Sequence, residues 1–262
     1  MPEINMFQIK AKILYNKRVK SRFYKCSFSA AGIARNASPG QFVNIRVNNT
    51  DAPLLRRPLS IHAVKGSSLE VLYEVVGPGT KILAKKKAGE ILDVIGPLGK
   101  GFNSSGVKNA ILVGGGMGVA PLLSLAQHAR GAAKTVLIGA RTKEEILCTQ
   151  DFKKLGCEII VSTDDGSAGF KGRITALLAE FLRVKSCELR VTKIFACGPR
   201  PMLYAVDRVC VERGIRGELS FEEHMACGFG ACLGCVVNTK EGYKGACVEG
   251  PVFETGEIIW DK

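Results

Sequence analysis

The sequence predicts an all-β unit joined to an α/β unit: an antiparallel β-barrel over residues 1–103, a parallel-sheet α/β domain over 104–215, and a short C-terminal subdomain over 216–262. Three observations predict it. The first hundred residues alternate apolar and polar positions in short runs broken by turn residues. After Gly106, buried-type strands alternate with helical runs, the pattern of a parallel sheet covered on both faces. Four of the ten cysteines then crowd into residues 216–262.

In chain order, FQIKAKILYN, FYKCSFSA, QFVNIRVN, SIHAV, LEVLYEVV and EILDVIG read as strands, with turns at Pro39-Gly40 and Gly66-Ser67-Ser68. A short helix from about Thr80 to Lys87 interrupts them. Six strands in this space suggest a small barrel. Strand NAILVGGG then leads to helix PLLSLAQHARG, strand TVLIGAR, helix EEILCTQDFKKLG, strand CEIIVST, helix ITALLAEFLRV, strand KIFACG and helix PMLYAVDRVCVERG. A last strand, GELSFE, enters the cysteine-rich tail. There is no internal repeat or low-complexity linker.

Apolar residues make up 46% of the 262, and mean hydropathy is +0.12, enough to build cores. No run approaches the ~18 apolar residues of a membrane span. The start, MPEINMFQIKAK, lacks a signal-peptide core, so a cytoplasmic location is expected. The net charge of +13 is uneven. Residues 1–103 carry seventeen Lys and Arg against six Asp and Glu, whereas 216–262 carry four against eight. No aromatic interleaving or nucleic-acid module accompanies the charge, so no nucleic-acid partner is expected. A basic barrel suits a phosphate-rich ligand or an acidic partner. The densest run, Lys85-Lys86-Lys87, reads as a solvated helix face.

Cys227, Cys232 and Cys235 form C-x4-C-x2-C, and Cys247 follows in GACVEGP. This is the plant-type spacing for a 2Fe–2S cluster. Four thiolates must converge while backbone N–H groups approach the sulfurs, and Gly228, Gly230 and Gly234 remove obstructing Cβ atoms. Zinc also takes four cysteines and is the competing ion, although its ribbons usually offer two short knuckles. Cys26, Cys148, Cys157, Cys187 and Cys210 read as small buried hydrophobes. Cys197, in FACGPRPML, sits at a strand's C-terminal end, where parallel sheets bind ligands, and is expected to line a nicotinamide pocket as a catalytic residue.

ILVGGGMGVAPLLSL is a strand, a glycine turn and a helix. Gly114, Gly115, Gly116 and Gly118 let backbone amides approach a pyrophosphate at a helix N-terminus, and Pro121 suits a first helical turn. In the barrel, Arg57-Pro58-Leu59-Ser60 offers an arginine for phosphate and a hydroxyl. Gly77 to Thr80 opens a helix and offers a second anion site. Together they suggest a second nucleotide cofactor. Electron counting supports a flavin: a nicotinamide exchanges hydride, a 2Fe–2S cluster exchanges single electrons, and a flavin converts between them.

These residues resemble the ferredoxin–NADP reductase superfamily across essentially the whole chain. RPLS resembles its R-x-Y-S/T flavin motif, with Leu59 in place of tyrosine, and GGGMGVAP and ACGPRPML resemble its pyridine-nucleotide motifs. SFEEHMACGFGACLGCVV with GACVEGPVF, and TDDGSAGFKGRIT, resemble the electron-transfer subunits of class 1B dihydroorotate dehydrogenases. The resemblance implies that Arg57, Pro58, Leu59, Ser60, Leu72, Tyr73, Glu74, Gly79 and Thr80 hold FAD, with Glu74 standing where the family often has arginine. It implies that Gly198 and Pro199 join the glycine loop in holding NAD, and that Cys227, Cys232, Cys235 and Cys247 hold the cluster. It further implies an FMN-containing catalytic partner that oxidises dihydroorotate, two of each chain, within pyrimidine biosynthesis. Arg141, Thr142 and Lys143 suit a 2′-phosphate, but Glu144 and Glu145 repel one, and the resemblance favours NAD. Small subunits of sulfide dehydrogenases, NADH-dependent ferredoxin–NADP reductases and hydrogenases share the layout. A redox-sensing module is a further alternative, which the intact nicotinamide motifs oppose.

Overall fold

The computed structural model describes residues 6–129, 131–184 and 192–260. Cys187, expected as a small buried hydrophobe, and Arg130, in the helical run expected to end at Gly131, lie outside the described residues. The first six strands are β1 (Phe7–Lys20), β2 (Phe23–Ser29), β3 (Phe42–Arg46), β4 (Arg57–Lys65), β5 (Ser68–Glu74) and β6 (Ile91–Leu98). They close into an antiparallel barrel in the order β1-β2-β5-β4-β3-β6. Alternation does the sorting: Ile13, Phe28, Ile45, Ile61, Val71 and Leu92 point inward and are fully buried. Two helices decorate the barrel, α1 (Ala31–Asn36) and α2 (Pro78–Lys85). The lysine run straddles the end of α2: Lys85 closes it and the Lys86 ammonium pairs with Glu90 at 3.1 Å.

The second unit is built on β7 (Asn109–Gly115), β8 (Ala133–Ala140), β9 (Glu158–Thr163), β10 (Phe170–Lys171), β11 (Thr192–Cys197) and β12 (Arg216–Ser220). Their helices are α3 (Val119–His128), α4 (Thr149–Lys154), α5 (Ile174–Val184) and α6 (Arg200–Arg213). The tail adds β13 (Val236–Thr239), β14 (Gly242–Gly245) and β15 (Val252–Glu254). The main sheet runs β10-β9-β8-β7-β11-β12-β15, parallel except for β15, which returns antiparallel to β12. β13 and β14 form a separate hairpin.

One face of this sheet packs Leu122, Leu125, Val136, Phe152 and Phe195. The other packs Leu178, Ile194, Val206 and Leu219, and continues without a break to Cys235, Cys247 and Phe253. The cysteine subdomain is therefore an extension of the sheet's core.

The expected helix EEILCTQDFKKLG is shorter than the sequence suggests. Lys143–Glu145 is one turn of 3-10 helix, Ile146 and Leu147 leave it to reach the core, and Cys148 takes a left-handed conformation (φ 63°) before α4 starts at Thr149. Burial of two apolar side chains outweighs continuous helix propensity here.

Candidate functional site

A cleft of about 470 Å³ opens where the barrel meets the sheet. β4 supplies Arg57, Pro58, Leu59 and Ser60, and β5 supplies Leu72, Tyr73 and Glu74. Thr80 comes from α2, Met117 and Ala120 from the glycine turn and α3, and Phe221 to Met225 from the segment after β12. The structure thus gathers both barrel motifs and faces them with Glu222, Glu223, His224 and Met225, which sequence reasoning did not select. The signals for these four were their place between a strand's C-terminal end and the first cysteine and their inclusion in the SFEEHMACGFGACLGCVV stretch.

Arg57 is the most telling residue. One guanidinium nitrogen donates to the Leu55 carbonyl at 2.8 Å, but Nε is buried without any partner. A buried, unpaired guanidinium N–H is costly unless an acceptor arrives. Gly79 makes the space: a Cβ there would overlap Nε and sit 2.9 Å from Cζ. The donor set and its cradle suit an anionic group such as a nucleotide phosphate. Thr80 lines the cleft, and its hydroxyl oxygen accepts N–H bonds from Val76 (3.0 Å) and Gly77 (3.2 Å), stapling the start of α2. Tyr73 is 1% exposed, its hydroxyl donating to Asn16 at 2.9 Å. Glu74 is ion-paired with Arg22, which reaches on to Glu145 at 3.3 Å.

The glycine turn meets the FACGP turn. A Cβ on Gly118 would overlap the Cys197 carbonyl and lie 2.7 Å from the Gly198 nitrogen, and one on Gly115 would meet Pro199 Cδ at 3.1 Å. Three of the four glycines therefore serve packing, since Gly114 is likewise crowded by Val119 and Leu122. Gly116 alone has open space beyond its Cα, at φ 56°. Pro121 is the third residue of α3, still within the turn whose N–H groups have no helical acceptor. Cys197 is 1% exposed, it is absent from the cleft lining, and burial holds its thiol protonated. Its strand, β11, ends at Cys197, as the sequence places it, and the thiol is packed beneath the two turns.

Arg141 follows β8, an interior strand of the sheet. Its guanidinium grips Glu145 through two bonds of 2.9 and 2.6 Å. Between barrel and sheet, His62 is fully buried, its Nδ1 donating to the Ala120 carbonyl at 2.8 Å. Burial, with Lys25 nearby, pushes its pKa down to about 4. Burial, with Asp151 adding to it, pushes the Glu70 carboxyl up to about 7.

The four selected cysteines come together as two pairs, Cys227 with Cys232 and Cys235 with Cys247. Among the described residues no three of these sulfurs lie within 4.8 Å of one another. Two pairs suit two bridged irons better than one tetrahedral zinc. Backbone N–H groups converge on the sulfurs: Gly230 donates to Cys247 at 3.1 Å, and Phe229, Cys232 and Ala231 donate to Cys227. Burial opposes ionisation of Cys227, yet these bonds outweigh it and bring its pKa down to about 6. Cys26, Cys157 and Cys210 are buried as expected, while Cys148 is only half-buried.

A barrel with an anion-ready arginine, a glycine-turn α/β sheet and a four-thiol loop define a ferredoxin reductase-like oxidoreductase with an iron–sulfur centre. Residues 112–208 match the oxidoreductase NAD-binding domain, and residues 222–259 match the iron–sulfur cluster binding domain of dihydroorotate dehydrogenase B. The electron transfer subunit of dihydroorotate dehydrogenase B (NAD+) from Desulforamulus reducens is 40% identical over 96% of this chain and 98% of its own. That from Caldanaerobacter subterraneus is 36% identical over 97% and 99%. A chain of the NADH-dependent reduced ferredoxin–NADP oxidoreductase superposes with a TM-score of 0.85, 31% identity, and coverage of 97% of this chain and 91% of that one. The ferredoxin reductase of carbazole 1,9a-dioxygenase shares the fold, with a TM-score of 0.68 at 20% identity over 82% and 68%. The chain belongs to the family of dihydroorotate dehydrogenase B (NAD+) electron transfer subunits. It is an oxidoreductase subunit that works with a catalytic partner chain. No helix among the described residues is long and apolar enough to cross a membrane.

Proposed function

We propose that this chain passes electrons from dihydroorotate, oxidised on a separate FMN-containing chain, to NAD+ during pyrimidine synthesis in the cytoplasm, in an assembly of two of each chain. We assign residues 1–103 to FAD, 104–215 to NAD and 216–262 to the cluster. When bound, the 2Fe–2S cluster supplies single-electron transfer and the flavin supplies exchange between single electrons and hydride. The observation that carries the reading is the presence of three sites in one chain: the unpaired Arg57 Nε in the cleft, the abutting glycine and FACGP turns, and the paired cysteines that follow the cleft-lining segment Phe221 to Met225.

In this reading Arg57 neutralises a flavin phosphate, and Pro58, Leu59, Ser60, Leu72, Tyr73, Glu74, Gly79 and Thr80 shape the flavin's seat. Gly114, Gly115, Gly116, Gly118 and Pro121 hold the dinucleotide's phosphates. Cys197, Gly198 and Pro199 form the floor under the nicotinamide, with the Cys197 thiol as a neutral surface. Cys227, Cys232, Cys235 and Cys247 ligate iron, and hydrogen bonds to their sulfurs favour the thiolates.

The likeness to the NADH-dependent reduced ferredoxin–NADP oxidoreductase chain supports a second reading, the same cofactor chemistry with another electron-donating partner. One experiment separates them. This chain is mixed anaerobically with a class 1B FMN catalytic chain, dihydroorotate is added, and NADH is measured. NADH that needs both chains, and is lost on Cys232→Ala, supports the first reading. A yellow-brown chain that NADH reduces but dihydroorotate does not serve points to the second.

A further inference from the structure

Strand β3 touches both the cleft and the cysteine loop. Phe42 lines the cleft; Asn44, two residues on, shares its face of the strand. The cross-strand partners of these two residues are Ser60 and Pro58, both in the cleft wall. Asn44 is 1% exposed, and its Nδ2 donates to the Cys227 carbonyl at 2.9 Å. Gly228 follows at φ 80°, and a Cβ there would overlap the Asn44 amide. Among the described residues no other barrel side chain hydrogen-bonds to residues 222–249. The Asn44 Oδ1 is buried without a partner, so the amide is not there to satisfy itself.

We propose that Asn44 is a positioning residue for electron transfer: its amide clamps the Cys227–Gly228 peptide to the flavin-side strand, fixing the distance between the two centres and placing an N–H donor on the backbone of a cluster ligand. The inference rests on the reading that Cys227 is a cluster ligand. A donor aimed at a ligand's peptide stabilises the more negative, reduced cluster, so its loss lowers the midpoint potential.

The test uses the holo chain and its Asn44→Leu, Asn44→Asp and Asn44→Gln variants, compared at equal iron and flavin content. Cluster midpoints are read by potentiometric titration with electron paramagnetic resonance, and flavin-to-cluster transfer by stopped-flow after NADH mixing. The expected result is a lower midpoint for Asn44→Leu, a lower one still for Asn44→Asp, transfer slowed several-fold in both, and recovery toward wild type in Asn44→Gln, which keeps an N–H donor. Wild-type midpoints and transfer rates in Asn44→Leu and Asn44→Asp overturn the inference, as does a midpoint in Asn44→Asp that rises. A wild-type chain with no 2Fe–2S resonance overturns the cluster reading itself and the inference with it.

Discussion

Gly118→Ala is the sharpest test of the two-turn junction. The new methyl would overlap the Cys197 carbonyl and crowd the Gly198 nitrogen. Both obstacles are backbone, so no side chain can swing aside. The glycine turn and the FACGP turn must part by about 1 Å, and a misplacement of that size can cost about 100-fold in rate. Overpacking of this kind destabilises by about 1–3 kcal/mol, which in a chain of this size lowers Tm by roughly 2–4 °C per kcal/mol. The assay is stopped-flow reduction of the bound flavin by NADH, paired with a thermal melt. Gly66→Ala, in the β4–β5 turn and outside both nucleotide turns, is the control: it adds a methyl to open space and carries only the left-handed backbone penalty of about 1–2 kcal/mol. If Gly118→Ala keeps NADH reduction within twofold of wild type, or if the two variants lose rate equally, the close approach does not govern the nicotinamide site.

Arg57→Leu removes a charge-assisted contact worth about 1.5–3 kcal/mol, so flavin affinity measured by fluorescence should fall roughly 10- to 100-fold. Glu145→Gln releases Arg141 from its two-bond grip, and kcat/KM for NADPH should rise about tenfold, with the gain cancelled when Arg141→Ala is added. The buried pair His62 and Glu70 acts on stability with opposite signs. His62 titrates below its ordinary value, so its contribution is lost as pH falls from about 6.5 toward 4; Glu70 titrates above its ordinary value, so its contribution is lost as pH rises from about 4.5 to 7. Each amounts to something on the order of 3 kcal/mol. The wild-type stability curve should be nearly flat between pH 4.5 and 6.5, and Glu70→Gln should rise across that window in urea melts; an unchanged curve would contradict the assignment.

The barrel was legible because each strand has one wet face, which writes a period of two into the sequence. The parallel strands were legible as short apolar runs between helices. The four-residue β13 and β14 and the three-residue β15 were not, since pairing and not propensity makes them strands. The helix expected across Ile146 to Cys148 failed because tertiary burial overrode local preference. The four clustered cysteines, RPLS and the glycine turn were readable as candidate sites from type and spacing. Glu222 to Met225 and Asn44 were not, because their partners lie far away in sequence: Asn44 meets a carbonyl 183 residues distant. The reason for Gly118 was also hidden, because its crowding neighbour is the end of another strand.

The return of β15 to β12 sets how the cysteine loop is closed. Ser220 pairs with Val252, and the Phe221 N–H donates to the Pro251 carbonyl at 2.9 Å, so the stretch from Glu222 to Pro251 leaves the sheet and comes back to it at one point. The entropy of closing that long loop is settled when the sheet folds. No cysteine takes part in that pairing, so chelation of the iron should leave the sheet edge zipped, with amide exchange rising in the cysteine loop and not in β12 or β15.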